Sequence, residues 1–393
     1  MNSILLTVQW LLALAVMVPL GWFALEVLVG LLPPRKETGL GSGARAAVLI
    51  PAHDEALGIA ETVTRLITVA PPGTRVLVVA DNCSDATAAA ARNAGAEVIE
   101  RSHETLRGKG FALDFGRAHL ALDPPDAVIV MDADCRMAPG SVEALTTAAL
   151  DGRGPAQALN LIAPDRAASP LVQISSFAML VKNMLRFRGM GRLGGSVTLC
   201  GTGMGFAWRD FAEAHLATGD IVEDLGLGID MVRRGRRTRL IESARITSAP
   251  AGVAESVSQR SRWEHGFLST ALHRAVPTLW HGLSRFNRAE IALGMHLLVP
   301  PLALLFLLAF AMLAVLAGLA WLTGYWLAVQ ALALTVLAAG GLVVLAWALA
   351  GREVLSLKAL LQAPLYVLWK LPIYLKFIKG PETSWVRTGR EGE

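Results

Sequence analysis

The stretch Ala127-Val128-Ile129-Val130-Met131-Asp132-Ala133-Asp134 decides the fold: five apolar residues without polar alternation, closed by two carboxylates one residue apart. A strand apolar on both faces belongs inside a sheet that is covered on both sides. Toward the N-terminus, Ala46–Ile50 (closed by Pro51) and Arg75–Ala80 have the same character, and Ala96–Glu100 reads as a further strand. Between them 55–69, 85–94 and 110–120 read as helices. This alternation predicts an α/β fold with a mostly parallel sheet covered by helices. Ligands of such sheets bind beyond the carboxyl ends of the strands, so chemistry is to be sought at the strand exits.

The exits exclude two classes. After the first strand stands Pro51-Ala52-His53-Asp54-Glu55, without the glycines that a dinucleotide fold needs to admit a pyrophosphate, and no Gly-x-x-x-x-Gly-Lys-Ser/Thr loop occurs anywhere. The second strand instead ends in Asp81-Asn82-Cys83-Ser84-Asp85, and the fourth in Asp132-Ala133-Asp134. Paired carboxylates at a strand end suit a hard divalent cation, Mg2+ or Mn2+, shared with substrate phosphates. Such a pair can equally cap a helix or line a solvated turn, and Asp85 reads as an N-cap. Asp132 and Asp134 resist that reading, because two acids at a buried exit repel unless a cation or donors lie between them.

Outward from this body the chain becomes apolar. Ile4–Leu32 carries one charge, Glu26, and is followed by Pro33-Pro34-Arg35-Lys36; it is long enough to span a bilayer and lacks the basic start of a cleaved signal. Arg35 and Lys36 place the next segment on the cytoplasmic side. Ile291–Gly351 contains no Asp, Glu, Lys or Arg, which as a helix of about 90 Å suffices for two crossings, with a turn at Thr323-Gly324 and a break at Pro300-Pro301. In Glu353–Lys379, lysines and aromatics interleave around Pro364 and Pro372; the segment suits a helix lying in the interface or a final crossing, and the basic tail favours the former. The expected organisation is an N-terminal span in 1–34, a cytoplasmic catalytic domain in 35–288, two spans in 289–351, and an interfacial or third C-terminal helix with a basic tail in 352–393.

Composition agrees. The 393 residues are 53% hydrophobic and 17% charged, too apolar for a wholly soluble chain. The net charge of +4 is modest, and the run Arg233-Arg234-Gly235-Arg236-Arg237 has no aromatic interleaving, so nucleic acid is not an expected partner. A membrane-facing surface and a solvated helix end both fit that run. Cys83, Cys135 and Cys200 form no Cys-x-x-Cys pair, consistent with a reducing cytoplasm.

Six motifs follow in order: Pro51-Ala52-His53-Asp54-Glu55, Asp81-Asn82-Cys83-Ser84-Asp85, Gly108-Lys109-Gly110, Asp132-Ala133-Asp134, Glu223-Asp224 and Gln259-Arg260-Ser261-Arg262-Trp263. Over Ala46–Trp263 this resembles the inverting family 2 glycosyltransferases, which include cellulose, chitin and hyaluronan synthases and ceramide glucosyltransferase. The resemblance implies a glycosyltransferase A fold. It implies Pro51, His53, Glu55 and Asp81 around a uridine, Lys109 near the nucleotide, and Asp132 and Asp134 holding the sugar diphosphate and its metal. Asp224 would be the general base. Glu223, Gln259, Arg262 and Trp263 would border acceptor and diphosphate, with Gly201-Thr202-Gly203 as the turn beneath the acceptor.

The chemistry is consistent on its own terms. Expelling a nucleoside diphosphate requires cations against the phosphates and a base for the incoming hydroxyl. Asp224 stands where a helix begins, so an N-cap is its plain alternative, and Glu223 beside it would raise one of the two pKa values. Arg262 and Trp263 lie on an expected helix, 257–268, where packing with a snorkelling charge competes with phosphate grip and sugar stacking. His265 reads as a polar surface or interface residue. The expected protein is integral to a bacterial inner membrane and transfers sugar from a nucleotide-sugar to a lipid-linked or saccharide acceptor near the membrane. A homo-oligomer or an export partner is compatible with that. A processive β-polysaccharide synthase is the alternative; a catalytically silent nucleotide-sugar-binding subunit is disfavoured by Asp132, Asp134, Asp224 and Arg262 together.

Overall fold

The computed structural model describes residues 2–35, 43–219, 222–249 and 253–380, with side chains at all of them except Asn2 and 253–260. The described residues divide into two compact units: those of 2–33, 164–194 and 271–380 form one, and those of 34–35, 43–163, 195–219, 222–249 and 253–270 the other.

The second unit is built on an eight-stranded mixed sheet. Its strands are β1 (Ala46–Ala52), β2 (Arg75–Asp81), β3 (Glu97–Arg101), β4 (Ala127–Val130), β5 (Cys135–Met137), β6 (Ala156–Ile162), β7 (Met204–Ala207) and β8 (Arg239–Ser248), in the order β3-β2-β1-β4-β7-β6-β8-β5. The half from β3 to β4 is parallel, as the unbroken apolar runs require. β7 then enters antiparallel to β4 and β6, and β5 antiparallel to β8, whereas β6 and β8 are parallel. Successive residues of β1 face opposite layers: Val48 and Ile50 pack with Ile59, Val63 and Leu66 of the helix Ile59–Val69, and Ala47 and Leu49 with Leu113 of the helix Lys109–Leu120. Burying both faces at roughly 25 cal/mol per Å2 of apolar surface is what stabilises such a sheet. The first helix starts at Ile59 rather than 55, because residues 53–58 form the turn that carries His53 and Glu55.

In the other unit three helices are long and apolar enough to cross a membrane: Ser3–Gly30, Leu302–Thr323 and Leu327–Gly351. Gly324, in the left-handed conformation, makes the turn between the last two, at the expected place. Residues 353–379 form three short helices, Leu357–Leu360, Ala363–Trp369 and Leu371–Lys379, in place of one continuous element; Pro364 and Pro372 each fall in the first turn of a new helix.

The segment Pro170–Arg192, which sequence reading left inside the catalytic body, packs with these apolar helices. It meets the N-terminal helix backbone to backbone: a Cβ at Gly189 would lie 1.9 Å from the Glu26 carbonyl oxygen, and one at Gly30 1.9 Å from that of Leu185. Arg188 and Arg192 donate to the carbonyls of Gly30 and Val29, supplying the cations that a helix C-terminus favours. Glu26, the lone charge of its helix, is fully buried and accepts from Arg186 Nε at 2.6 Å, His296 Nδ1 at 2.7 Å and Trp22 Nε1 at 2.9 Å. A buried carboxylate persists only with such a set of donors.

Candidate active site

The exit of β4, the turn that leads into β7 and the start of the helix Glu223–Arg233 converge on Lys109. Its Nζ lies 2.5 Å from Asp132 Oδ1 at the end of β4 and 2.7 Å from the carbonyl oxygen of Gly201, just before β7. A Cβ at Gly201 would stand 3.1 Å from that Nζ and 3.4 Å from Asp224 Oδ2, so Lys109, Gly201 and the Asp224 carboxylate occupy one pocket of space. Local sequence explains the placement. Gly108 takes φ 117° to turn into the helix, and Gly110 lets its backbone approach the Leu216 carbonyl, which a Cβ would meet at 2.4 Å.

The turn 200–203 is held from beneath by a residue that sequence reading passed over. Gln157 is fully buried in β6; its amide donates to the carbonyls of Thr202 and Ala158, and its Oε1 accepts from Cys200 N–H. The signal was a long polar side chain inside an apolar strand. Thr202, the middle residue of the expected turn, accepts the Asp132 N–H on its Oγ1 at 3.1 Å. Gly201 (φ 76°) and Gly203 (φ 66°) both need the left-handed backbone that glycine adopts freely.

Charges in this space shift one another. Burial opposes the Lys109 ammonium, but Asp132, Glu223 and Asp224 outweigh it and push its pKa up. Burial, with Asp134 and Asp224 nearby, raises Asp132 against the pull of Lys109. Glu223 is pushed up to about 8, by burial first and then by Asp224 and Asp132, with Lys109 opposing. Asp224 is the second residue of the helix Glu223–Arg233, whose N-cap is Val222; its Oδ1 accepts from Leu225 N–H at 2.8 Å. Asp224 thus lies in the first turn rather than at the N-cap, and its carboxylate satisfies one of the first-turn N–H groups.

Asp132, Asp134 and Cys135 bring one ligand atom each within 4.8 Å of one another. A hard divalent cation takes oxygen donors in preference to a thiol, so Asp132 and Asp134 fit Mg2+ or Mn2+.

At the β1 and β2 exits, His53 Nδ1–H donates to the Asp81 carbonyl at 2.7 Å, and its Nε2 stands 3.8 Å from Asp54 Oδ2. Asp81 is buried and carries Arg101 on Oδ1 at 2.6 Å, together with Asn82; Arg101 was not among the expected residues. Pro51 stands beside Val79, one residue before the paired part of β1 ends at Ala52, and Glu55 is half-buried with its N–H on Thr87 Oγ1. Asp54 (φ 53°) and Asn82 (φ 52°) hold left-handed conformations at these two exits, a placement typical of functional turns. Asp85 precedes the cap position of the helix Thr87–Asn93; its carboxylate accepts from Thr87 N–H and Ala56 N–H and so ties the two exits together.

The helix Val253–Ser284 brings in the last motif. A Cβ at its Gly266 would lie 2.7 Å from Val222, the residue before Glu223, so this helix runs beside the start of the Asp224 helix. Arg262 is half-buried and Trp263 exposed one turn earlier. His265 is fully buried, which fits the interface alternative of its reading and not the surface one. Gln259 lies on the helix, but its side chain is outside the described residues.

Carboxylates, a lysine and a glycine turn are thus gathered at the exit of β4 in the mixed sheet. The chain belongs to glycosyl transferase family group 2, whose family model matches residues 127–350, more than half of its length, and it is an enzyme of the glycosyltransferase class. Its fold is similar to that of the mannosyltransferase PcManGT from Pyrobaculum calidifontis, solved in complex with GDP-Man and Mn2+, at 15% identity, with 95% of each chain covered and a TM-score of 0.56. Glucosyl-3-phosphoglycerate synthase from Mycobacterium tuberculosis, solved with Mn2+, uridine diphosphate and phosphoglyceric acid, aligns over 60% of this chain and 84% of its own at 20% identity and a TM-score of 0.41. No curated protein sequence matches the chain.

Proposed function

We propose that the protein is an inverting glycosyltransferase that moves a sugar from a nucleoside diphosphate sugar to a lipid-linked or membrane-near acceptor, with Asp224 as general base. The convergence of Lys109, Asp132, Gly201 and Asp224 carries this reading, because it sets a proton acceptor beside a cationic site for phosphate. The acceptor hydroxyl gives its proton to Asp224 while its oxygen bonds the anomeric carbon. The bond from that carbon to the diphosphate oxygen breaks on the opposite face, which inverts the centre. Lys109 and Arg262 offset charge on the departing diphosphate. A divalent ion held by Asp132 and Asp134 supplies further charge neutralisation when bound. Glu223, protonated at neutral pH, keeps a fourth negative charge from joining those of Asp132, Asp134 and Asp224.

His53, Glu55, Pro51 and Asp81 form the nucleotide-base end of the site, with Trp263, Arg262 and Gln259 on the acceptor side. Uridine is the expected base on the strength of the six ordered motifs; a guanosine donor is the direct competitor. Arg35 and Lys36 support a cytoplasmic catalytic unit. Three apolar helices among the described residues favour single or limited transfer over a processive synthase, whose polymer channel needs a closed ring of helices.

The test is hydrolysis and transfer by the full chain in membranes, with UDP- and GDP-sugars as donors and extracted lipids as acceptors. Transfer of one sugar with inversion supports the proposal. A long polymer would favour the synthase, and no turnover of any donor would overturn the catalytic reading.

A further inference from the structure

The arginine run that opens at Arg233 takes no part in the site around Lys109. The helix Glu223–Arg233 ends within it: Gly235 (φ 78°) donates its N–H to the Val232 carbonyl, and Arg236 donates its N–H to that of Met231. Backbone groups thus satisfy the last carbonyls of the helix in a glycine turn, and the guanidiniums are not required to cap it. Two of them instead wall a cavity.

That cavity, of about 320 Å3, is lined by Arg209, Asp210, Glu213, Met231, Arg234 and Arg236. It lies at the opposite end of the sheet from Lys109. β7 runs antiparallel to β4, so Ala207 pairs with Ala127 at the start of β4, and Arg209 and Asp210 follow directly. The helix Glu223–Arg233 joins the two ends, with Asp224 in its first turn and Met231 in the cavity wall; its 11 residues span about 16 Å.

The carboxylates do not use up these arginines. Buried Asp210 Oδ1 stands 3.3 Å from Arg236 Nε and 3.6 Å from Arg209 Nε, which holds the two guanidiniums on either side of it. Arg236 Nη1 donates to the Gly152 carbonyl and Arg234 Nη1 to that of Glu213, both at 2.9 Å. A guanidinium carries five N–H donors, so most of the donors here have no partner among the described residues. Three guanidiniums against two carboxylates leave a positive excess in a concave place.

We infer that this cavity binds the phosphate group of a small phosphorylated compound, with Arg209, Arg234 and Arg236 donating to its oxygens. Guanidinium forks match phosphate oxygens bidentately. The volume falls at the lower end of ligand pockets, roughly 300–1,000 Å3, and suits a small body with Met231 as its apolar wall. Nucleic acid does not fit, because no aromatic side chain lines the cavity for a base to stack on. The site is separate from the reaction proposed above and uses none of its residues.

The test is protection from phenylglyoxal, which modifies accessible arginines, on the full chain in phosphatidylcholine nanodiscs with inorganic phosphate as the probe. Peptide mass mapping reads each arginine. Phosphate should slow modification of Arg234 and Arg236 several-fold and leave the exposed Arg65 unchanged. Arg234→Gln should remove most of the protection at Arg236, because the two hold one ligand, whereas Lys109→Met should leave it intact. Protection by nanodiscs containing phosphatidylglycerol, without added phosphate, would assign the same phosphate chemistry to a lipid headgroup. Equal slowing at Arg65, no slowing by either source, or protection that follows Lys109 instead of Arg234 would overturn the inference.

Discussion

Lys109 Nζ sits 2.5 Å from Asp132 Oδ1, joining the start of the helix Lys109–Leu120 to the exit of β4 across the mouth of the sheet. That one ammonium also offsets Glu223 and Asp224. Lys109→Met leaves the carboxylates to repel one another. Its destabilisation, roughly 1–3 kcal/mol for a lost charged hydrogen bond, should be larger at pH 8 than at pH 5, where the acids take up protons. Transfer should fall by about 10²–10³. Thermal unfolding at both pH values, beside transfer rates, checks this; an equal loss at both would mean that Lys109 does not serve the acids.

Gly201→Ala tests the turn beneath Lys109. The new Cβ would stand 3.1 Å from Lys109 Nζ on a backbone at φ 76°. A cost of about 1–2 kcal/mol from the left-handed conformation is expected, together with weaker donor binding. Stability and nucleotide-sugar affinity, measured on the same preparation, should fall together.

Glu223 gives a pH signature. Its pKa in the folded chain is raised to about 8 from an ordinary 4.5, so the folded state holds a proton that the unfolded state releases between those values. The stability this proton confers is full below about pH 4.5 and is lost as pH rises through 8. Glu223→Gln mimics the protonated form. In metal-free buffer its stability relative to the parent should improve steadily from pH 5 to pH 8.5. A constant difference across that range would remove the raised pKa from the account.

Metal removal separates the acids. Chelator should abolish transfer, with Mg2+ or Mn2+ restoring it. Asp134→Asn should weaken Mn2+ binding, read by the paramagnetic resonance of the free ion, by tenfold or more. Full turnover in excess chelator would take Asp132 and Asp134 out of the metal role.

Much of this was legible in the chain. β1, β2 and β4 are buried on both faces, so their apolar runs announce a parallel core, and Asp132 and Asp134 stand at an exit where ligands bind. The antiparallel half was not legible. β5 and β7 are short, and the shift in the β6–β8 register between Ala158 and Leu159 has no local sequence mark. Pro170–Arg192 was assigned to the soluble body because an apolar helix reads alike in a protein core and among membrane helices; only packing against Glu26 and His296 tells them apart. Gln157 was passed over because its partners, the carbonyls of the 200–203 turn, lie more than forty residues away.

The most direct test is Asp224→Asn, because it separates a proton acceptor from a residue that only holds the start of its helix. Asparagine keeps the size of the side chain and its hydrogen bond from Leu225 N–H. Donor binding by calorimetry and transfer by product formation should be measured on the same variant. The account predicts unchanged donor affinity with transfer reduced by roughly 10²–10⁴, the usual contribution of a general base. An Asp224→Asn enzyme that transfers sugar at the parent rate would contradict it.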